Sequence, residues 1–301
     1  MPTNEIPIRD LSALLNAFSS TFGSLFGWYA DNAKVIFTIF ILTAIVGEKS
    51  YQWIKRRDIN LRSSFTSLVS GAGFLIAKTI FEKLLFVALA FFIYENFRLF
   101  DLPLGNPLVW IGVLFARDFI YYWVHRLEHT TRFLWASHLI HHSPRNIDMT
   151  SAVRIPWMEA VYKPWFSLWM PLLGFHPLAK IGLDVLVATI QQLHHTKAFP
   201  ARGDGSYPLF ARIFVTPSTH RVHHGYNPEY IDKNFGAVFI FWDKLFGTYA
   251  PEVAEVKFGV GEIDAVDTPT DAFVGGYKRL WQNMREAGSP QRALAIAAGR
   301  P

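Results

Sequence analysis

The sequence predicts an all-helical integral membrane protein, with about four to five transmembrane helices and a histidine-rich helical cap on the cytoplasmic side. Three observations carry that prediction. Hydrophobic residues make up 51% of the 301 and charged residues only 18%, well under the roughly 25% charged of an ordinary soluble domain. The apolar residues, including 27 Phe and 10 Trp, gather into long runs that approach bilayer thickness. Eight of the 11 histidines fall in HRLEH at 125–129, HLIHH at 138–142 and HRVHH at 220–224, spacings that share one face of a helix.

Taken in chain order, residues 35–47 (VIFTIFILTAIVG) form the first apolar run. It reaches membrane length if Lys34 snorkels and Trp28, Tyr29 and Trp53 anchor at the interfaces. Residues 64–98, interrupted by Lys78, Glu82 and Lys83, read as an amphipathic stretch leading into one crossing at 84–98. Residues 107–124 form the next span and end on His125. Residues 157–175 and 178–193 read as a membrane hairpin with its tip at Gly174-Phe175-His176-Pro177, and the second arm ends on His194 and His195. Farther on, Phe273, Tyr277, Leu280, Trp281 and Met284 recur at helical spacing. They predict an amphipathic helix over the cap or on the membrane, followed by a frayed tail. The chain thus divides into N-terminal membrane and amphipathic helices (1–106), a histidine-bearing core (107–250) and a C-terminal helix and tail (251–301).

Orientation follows from Lys55, Arg56, Arg57 and Arg62, which place the loop after the first run in the cytoplasm by the positive-inside bias. One crossing out and one back then return His125 to that side, and the hairpin returns His194 and His195 there too. The charge balance, 29 basic against 24 acidic residues, suits an anionic membrane surface and carries no nucleic-acid signature. The absence of cysteine excludes disulfides, iron-sulfur clusters and thiolate metal sites.

Imidazoles crowded together repel as cations and gain nothing in apolar surroundings unless something binds them. A structural zinc takes four ligands, so eight or nine histidines suit two metal ions side by side. His194 and His195 are adjacent, point to different helix faces and supply one ligand between them. His176 reads as a turn residue.

The succession His-x3-His, His-x2-His-His, a single downstream histidine and His-x2-His-His resembles the fatty acid hydroxylase and sterol desaturase superfamily of membrane diiron oxygenases. The likeness runs from about 107 to 250, and TPSTHRVHHGYNPEYIDKNFGAVFIFWDKLFGTY looks most like the alkylglycerol monooxygenase branch. Carried over residue by residue, it implies His125, His129, His138, His141, His142, His220, His223 and His224 as metal ligands, with His195 as a further one and His194 as its alternative. Gln191 stands where some members have another histidine; a glutamine is a poor iron ligand, so one coordination position is left open. The resemblance also implies two iron ions, replaceable by zinc on purification, O2 as oxidant, and electrons from reduced tetrahydrobiopterin or a redox partner protein. It further implies a lipid substrate entering from the membrane, oxidised at a C–H bond by hydroxylation or desaturation.

Around the clusters, Asp118 either orients a ligand imidazole or pairs with Arg117 or Arg126. Asp232 and Asn234 either hydrogen-bond ligands or form a turn. Glu128 and Arg126 read as a solvated or ion-paired surface, and Trp123 and Trp135 as packing. A metal store or transporter is the competing class; a transport path would spread ionisable groups through the bilayer, whereas these histidines gather at one face.

Overall fold

The computed structural model describes residue 32 and residues 35–55, 59–197, 209–261, 266 and 268–301. Trp28, Tyr29, Lys34, Arg56 and Arg57 lie outside the described residues. Within them the regular structure is helical, with only the isolated bridges Phe214–Phe239 and Gly225–Phe258.

Two helices among the described residues are long and apolar enough to cross a membrane, α1 (Val35–Ile54) and α4 (Pro107–Thr130). Their apolar side chains point outward, Ile39 and Val46 being 60% and 63% exposed on α1 and Leu108 71% on α4. That pattern suits lipid rather than water. The far end of α1 docks on the loop after residue 147, where Lys49 pairs with Asp148 at 2.8 Å and Glu48 accepts from the Met149 amide.

Asn60 caps α2 (Leu61–Ala77), which runs through a π-wound segment, Lys78–Phe86, into α3 (Val87–Phe97). The stretch from 61 to 97 is thus a single helical rod. Asn106 caps α4 and Pro107 opens it, needing no amide partner at that position. The extended backbone of Thr131 ends α4, and α5 (Arg132–His142) folds back against it.

The predicted first arm of the hairpin is not one continuous helix. Residues 157–175 break into α6 (Glu159–Tyr162), a 3-10 turn (Lys163–Ser167) and α7 (Trp169–Leu173). Pro164 and Pro171 remove helix hydrogen bonds and clash with the preceding turn. Of the four to five crossings expected, two are met by helices long and apolar enough among the described residues, α1 and α4. The tip forms as expected. Gly174 sits at φ 103°, and a Cβ there would meet the Phe100 carbonyl at 2.0 Å. His176 caps α8 (Pro177–His194), its Nδ1 accepting from the Leu178 amide.

Beyond α8 come α9 (Leu209–Ile213), α10 (Pro217–His223), α11 (Phe241–Leu245), α12 (Gly276–Arg285) and α13 (Pro290–Ala298). The C-terminal helix does cover the cap: a Cβ on Gly276 would meet the Ala136 carbonyl at 1.8 Å, so α12 presses directly on α5. The tail is not frayed. Ser289 caps α13, and the Arg132 amide donates to the Gly299 carbonyl at 2.7 Å.

Candidate metal centre

Four helix ends deliver the histidines. The last turn of α4 brings His125 and His129, and the corner at Thr131 sets His138, His141 and His142 of α5 beside them. The end of α8 brings His195. A capping box between Thr216 and Thr219 starts α10 and fixes the turn carrying His220, His223 and His224.

These nine imidazoles form two groups, His125, His129, His138, His142 and His223 in one and His141, His195, His220 and His224 in the other. Within each, the candidate ligand atoms lie within 4.8 Å of one another. The groups adjoin, with the His142 and His224 rings stacked at 4.4 Å. His194 stays outside both, its buried Nδ1 without a partner.

The tautomers decide whether a cation belongs there. His125 Nδ1–H donates to the Phe235 carbonyl at 2.8 Å, His141 to Arg154 at 3.2 Å, His195 to Gln191 at 2.9 Å and His223 to Lys233 at 2.9 Å. A carbonyl can only accept, so in each ring the proton sits on Nδ1 and Nε2 presents a lone pair. Yet the Nε2 atoms crowd together: His125 to His138 at 3.1 Å, His142 to His138 at 3.3 Å, His195 to His141 at 3.4 Å and His220 to both His195 and His224 at 3.1 Å. Facing lone pairs repel. Four ligands at about 2.1 Å around a tetrahedral ion, the usual metal–imidazole distance, stand roughly 3.4 Å apart. The buried Nε2 atoms of His129 and His223 have no other partner. The residues fit two metal ions.

The supporting shell explains the other predicted residues. Asp232 and Asn234 adopt φ 58° and 57°, left-handed conformations that Asp and Asn tolerate, so the Asp-Lys-Asn run is a turn. That turn aims the Lys233 and Phe235 carbonyls at His223 and His125. Asn234 contacts no imidazole: it bonds the Thr219 and Ala250 carbonyls and the Ala250 amide. Asp118 likewise neither orients an imidazole directly nor pairs with Arg126. It accepts from the Val238 and Phe239 amides and from Trp242 Nε1, while Arg117 is taken by Asp184 at 3.0 Å. Gln191 donates to the Tyr121 hydroxyl at 2.7 Å, and the Tyr121 ring packs against His125.

Glu128 corrects the sequence reading most sharply. It is fully buried rather than solvated, and shares a polar cluster with Glu159, Lys163 and Tyr162 behind His138. His138 Nδ1–H donates to Glu159 at 3.0 Å, and Lys163 Nζ lies 2.6 Å from the same carboxylate. An available signal was Glu159 and Lys163, four residues apart within an apolar stretch, since ionisable groups there are rarely idle.

Burial pushes His195 and His223 down to about 4. Unfolding returns each toward its usual value near 6.5, so between those values the unfolded chain binds more protons. The metal-free protein accordingly loses stability as pH falls from about 6.5 to 4, by on the order of 3 kcal/mol for each such residue. Thermal unfolding of apoprotein in detergent across that range checks this; a midpoint independent of pH would refute it.

Residues 110–248 match the family model described as fatty acid hydroxylase. The alkylglycerol monooxygenase of Xenopus tropicalis is 32% identical over 233 residues, covering 77% of this chain and 50% of the relative. The ornithine lipid hydroxylase OlsE of Rhizobium tropici is 30% identical over 166 residues, 52% of this chain and 46% of that protein. The Delta(7)-sterol 5(6)-desaturase erg3B of Aspergillus fumigatus is 28% identical over 167 residues, 50% and 44% respectively. All three names are those of oxidoreductases. The chain spans about half the length of the relatives it matches, and no solved structure matches it. The matched region contains all nine imidazoles of the two groups, and it is this region of the chain that matches the fatty acid hydroxylase family.

Proposed function

We propose that this protein is a membrane-bound dinuclear non-haem iron oxygenase that uses O2 to oxidise a lipid C–H bond, with the ether-bearing carbon of an alkylglycerol as the preferred target. The observation that carries the proposal is the convergence of nine imidazoles on two adjoining positions, five of them with the Nδ1 proton committed to a carbonyl or a carboxylate. When bound, the iron pair supplies what no side chain has, the ability to activate O2 against an unactivated C–H bond. Neutral imidazoles suit either iron or zinc, so zinc can replace iron during purification.

The chain's own part is positioning and exclusion of water. Backbone carbonyls from the 233–235 turn, from Arg154 and from Gln191 fix the rings, and α12 closes over α5. Leu108, Ile111, Phe115 and Phe119 make an exposed apolar stripe along α4, the helix whose far end carries His125. A lipid tail can follow that stripe from the bilayer and leave its polar end at the centre. The cap faces the cytoplasm in this reading, where reduced tetrahydrobiopterin or a redox protein delivers electrons.

Hydroxylation beside an ether oxygen gives a hemiacetal that collapses to a fatty aldehyde and free glycerol, whereas desaturation releases no aldehyde. Membranes bearing the protein, supplied with an alkylglycerol, O2 and reduced tetrahydrobiopterin, are expected to release aldehyde, and the His138→Ala variant none. A parallel mixture contains a sterol or acyl lipid with a ferredoxin or cytochrome system. Product in that mixture alone moves the protein to the desaturase or acyl hydroxylase branches and overturns the ether assignment.

A further inference from the structure

The five-histidine and four-histidine groups differ in what stands behind them. Four ligand rings, His125 and His223 in the first group and His141 and His195 in the second, rest their Nδ1 protons on backbone carbonyls. His138 alone among the described histidines hydrogen-bonds a carboxylate, Glu159 at 3.0 Å, with Glu128 a further 3.5 Å contact. His138 is also central to its group, its Nε2 lying 3.1 Å from that of His125 and 3.3 Å from that of His142. Asp232 adds a third carboxylate on the same side, 3.9 Å from His129 Nδ1. The carboxylates that act on the other group do so only through space: Asp148 on His195, itself paired with Lys49 and accepting from Thr150, and Glu159 on His141, with no hydrogen bond to either ring.

A carboxylate accepting the Nδ1 proton makes the opposite nitrogen a better donor to a metal, and losing such a partner typically costs about 10–100-fold in metal affinity. We propose that the two metal positions are unequal, and that Glu159 is the positioning residue that makes the five-histidine position the tighter and more electron-rich of the two. This inference rests on the dinuclear reading above. Lys163 keeps Glu159 in place and limits the cost of burying it, since an uncompensated buried carboxylate would be strongly destabilising.

The test uses the full chain in mild detergent, loaded with cobalt or zinc and titrated with a chelator, with metal per chain measured at each step. The wild type is expected to release its two ions in separate steps. In Glu159→Gln, whose remaining carbonyl oxygen can still receive the His138 proton, the tighter step moves about ten-fold or more toward lower chelator. The weaker step stays where it was. A general loosening of the fold would instead move both steps together. Release in one step by the wild type, a tight step unmoved in Glu159→Gln, or an equal shift of both steps overturns the inequality and leaves the dinuclear reading standing. Folded wild-type protein that holds one ion or none overturns the dinuclear reading itself. Should Glu159→Gln fail to fold, Mössbauer spectra of the iron-loaded wild type decide: two distinct iron environments support the inequality, and a single environment overturns it.

Discussion

His138→Ala is expected to abolish turnover and to lower the metal content, with the five-histidine ion lost first. The ring stands within 3.1–3.3 Å of two other ligand nitrogens and carries the contact to Glu159, so truncation removes a ligand and its backing together. The loss should exceed the roughly 10–100-fold that follows removal of an outer partner alone. His142→Ala and His223→Ala should behave alike, since both rings belong to the same group. The contrast is His176→Ala. That ring caps α8 and packs edge-on against Tyr94, at the end of the helix opposite His194 and His195, and losing a cap costs about 1 kcal/mol. Metal content and activity should survive it. Metal analysis and turnover on the four variants check the set; a His138→Ala protein that keeps both ions would sink the ligand assignment.

Local spacing carries information about a helix face, and the features of this protein that lie on one helix face were legible. HRLEH, HLIHH and HRVHH each present their histidines together because 3.6-residue periodicity dictates it. The tip at Gly174 was legible for a comparable reason, since Gly followed two residues later by His-Pro stops one helix and starts the next. The ends of α4 and α8 were likewise marked by the histidines themselves.

What spacing cannot convey is what a second chain segment lays against the opposite face. Glu128 does point away from the His125 and His129 pair in helical projection, but Tyr162 and Lys163 cover that side, so the residue is buried and not solvated. Glu159 was hidden inside a stretch whose apolar composition reads as a span, and only the prolines at 164 and 171 betray that it is broken. Asn234 serves through backbone conformation, as does Asp232 besides bringing its carboxylate 3.9 Å from His129; together they place the Lys233 and Phe235 carbonyls, and no side-chain pattern encodes which ring a carbonyl will meet. The count of membrane crossings meets the same limit, because an apolar segment packed against protein and one packed in lipid share a composition.

Asp118 yields the largest expected effect on stability, and its consequence should reach the metals. The carboxylate is fully buried and accepts from the Val238 amide at 2.9 Å, the Phe239 amide at 3.0 Å and Trp242 Nε1 at 3.2 Å. Asp118→Ala leaves these three donors without an acceptor, in a place water does not reach. Each buried unsatisfied donor costs about 1–3 kcal/mol, so the loss is on the order of 3–9 kcal/mol, a large part of the roughly 5–15 kcal/mol that holds a domain together. Asp118→Asn keeps one acceptor oxygen and should fall between. Since residues 233–239 also supply the carbonyls behind His223 and His125, loosening that segment should free those two rings, both in the five-histidine group. Denaturant unfolding in detergent measures the stability, and metal per chain under non-denaturing conditions measures the coupling. An Asp118→Ala protein as stable as wild type would show that α4 does not anchor this segment; one destabilised but with undiminished metal would show that the rings hold their ions without it.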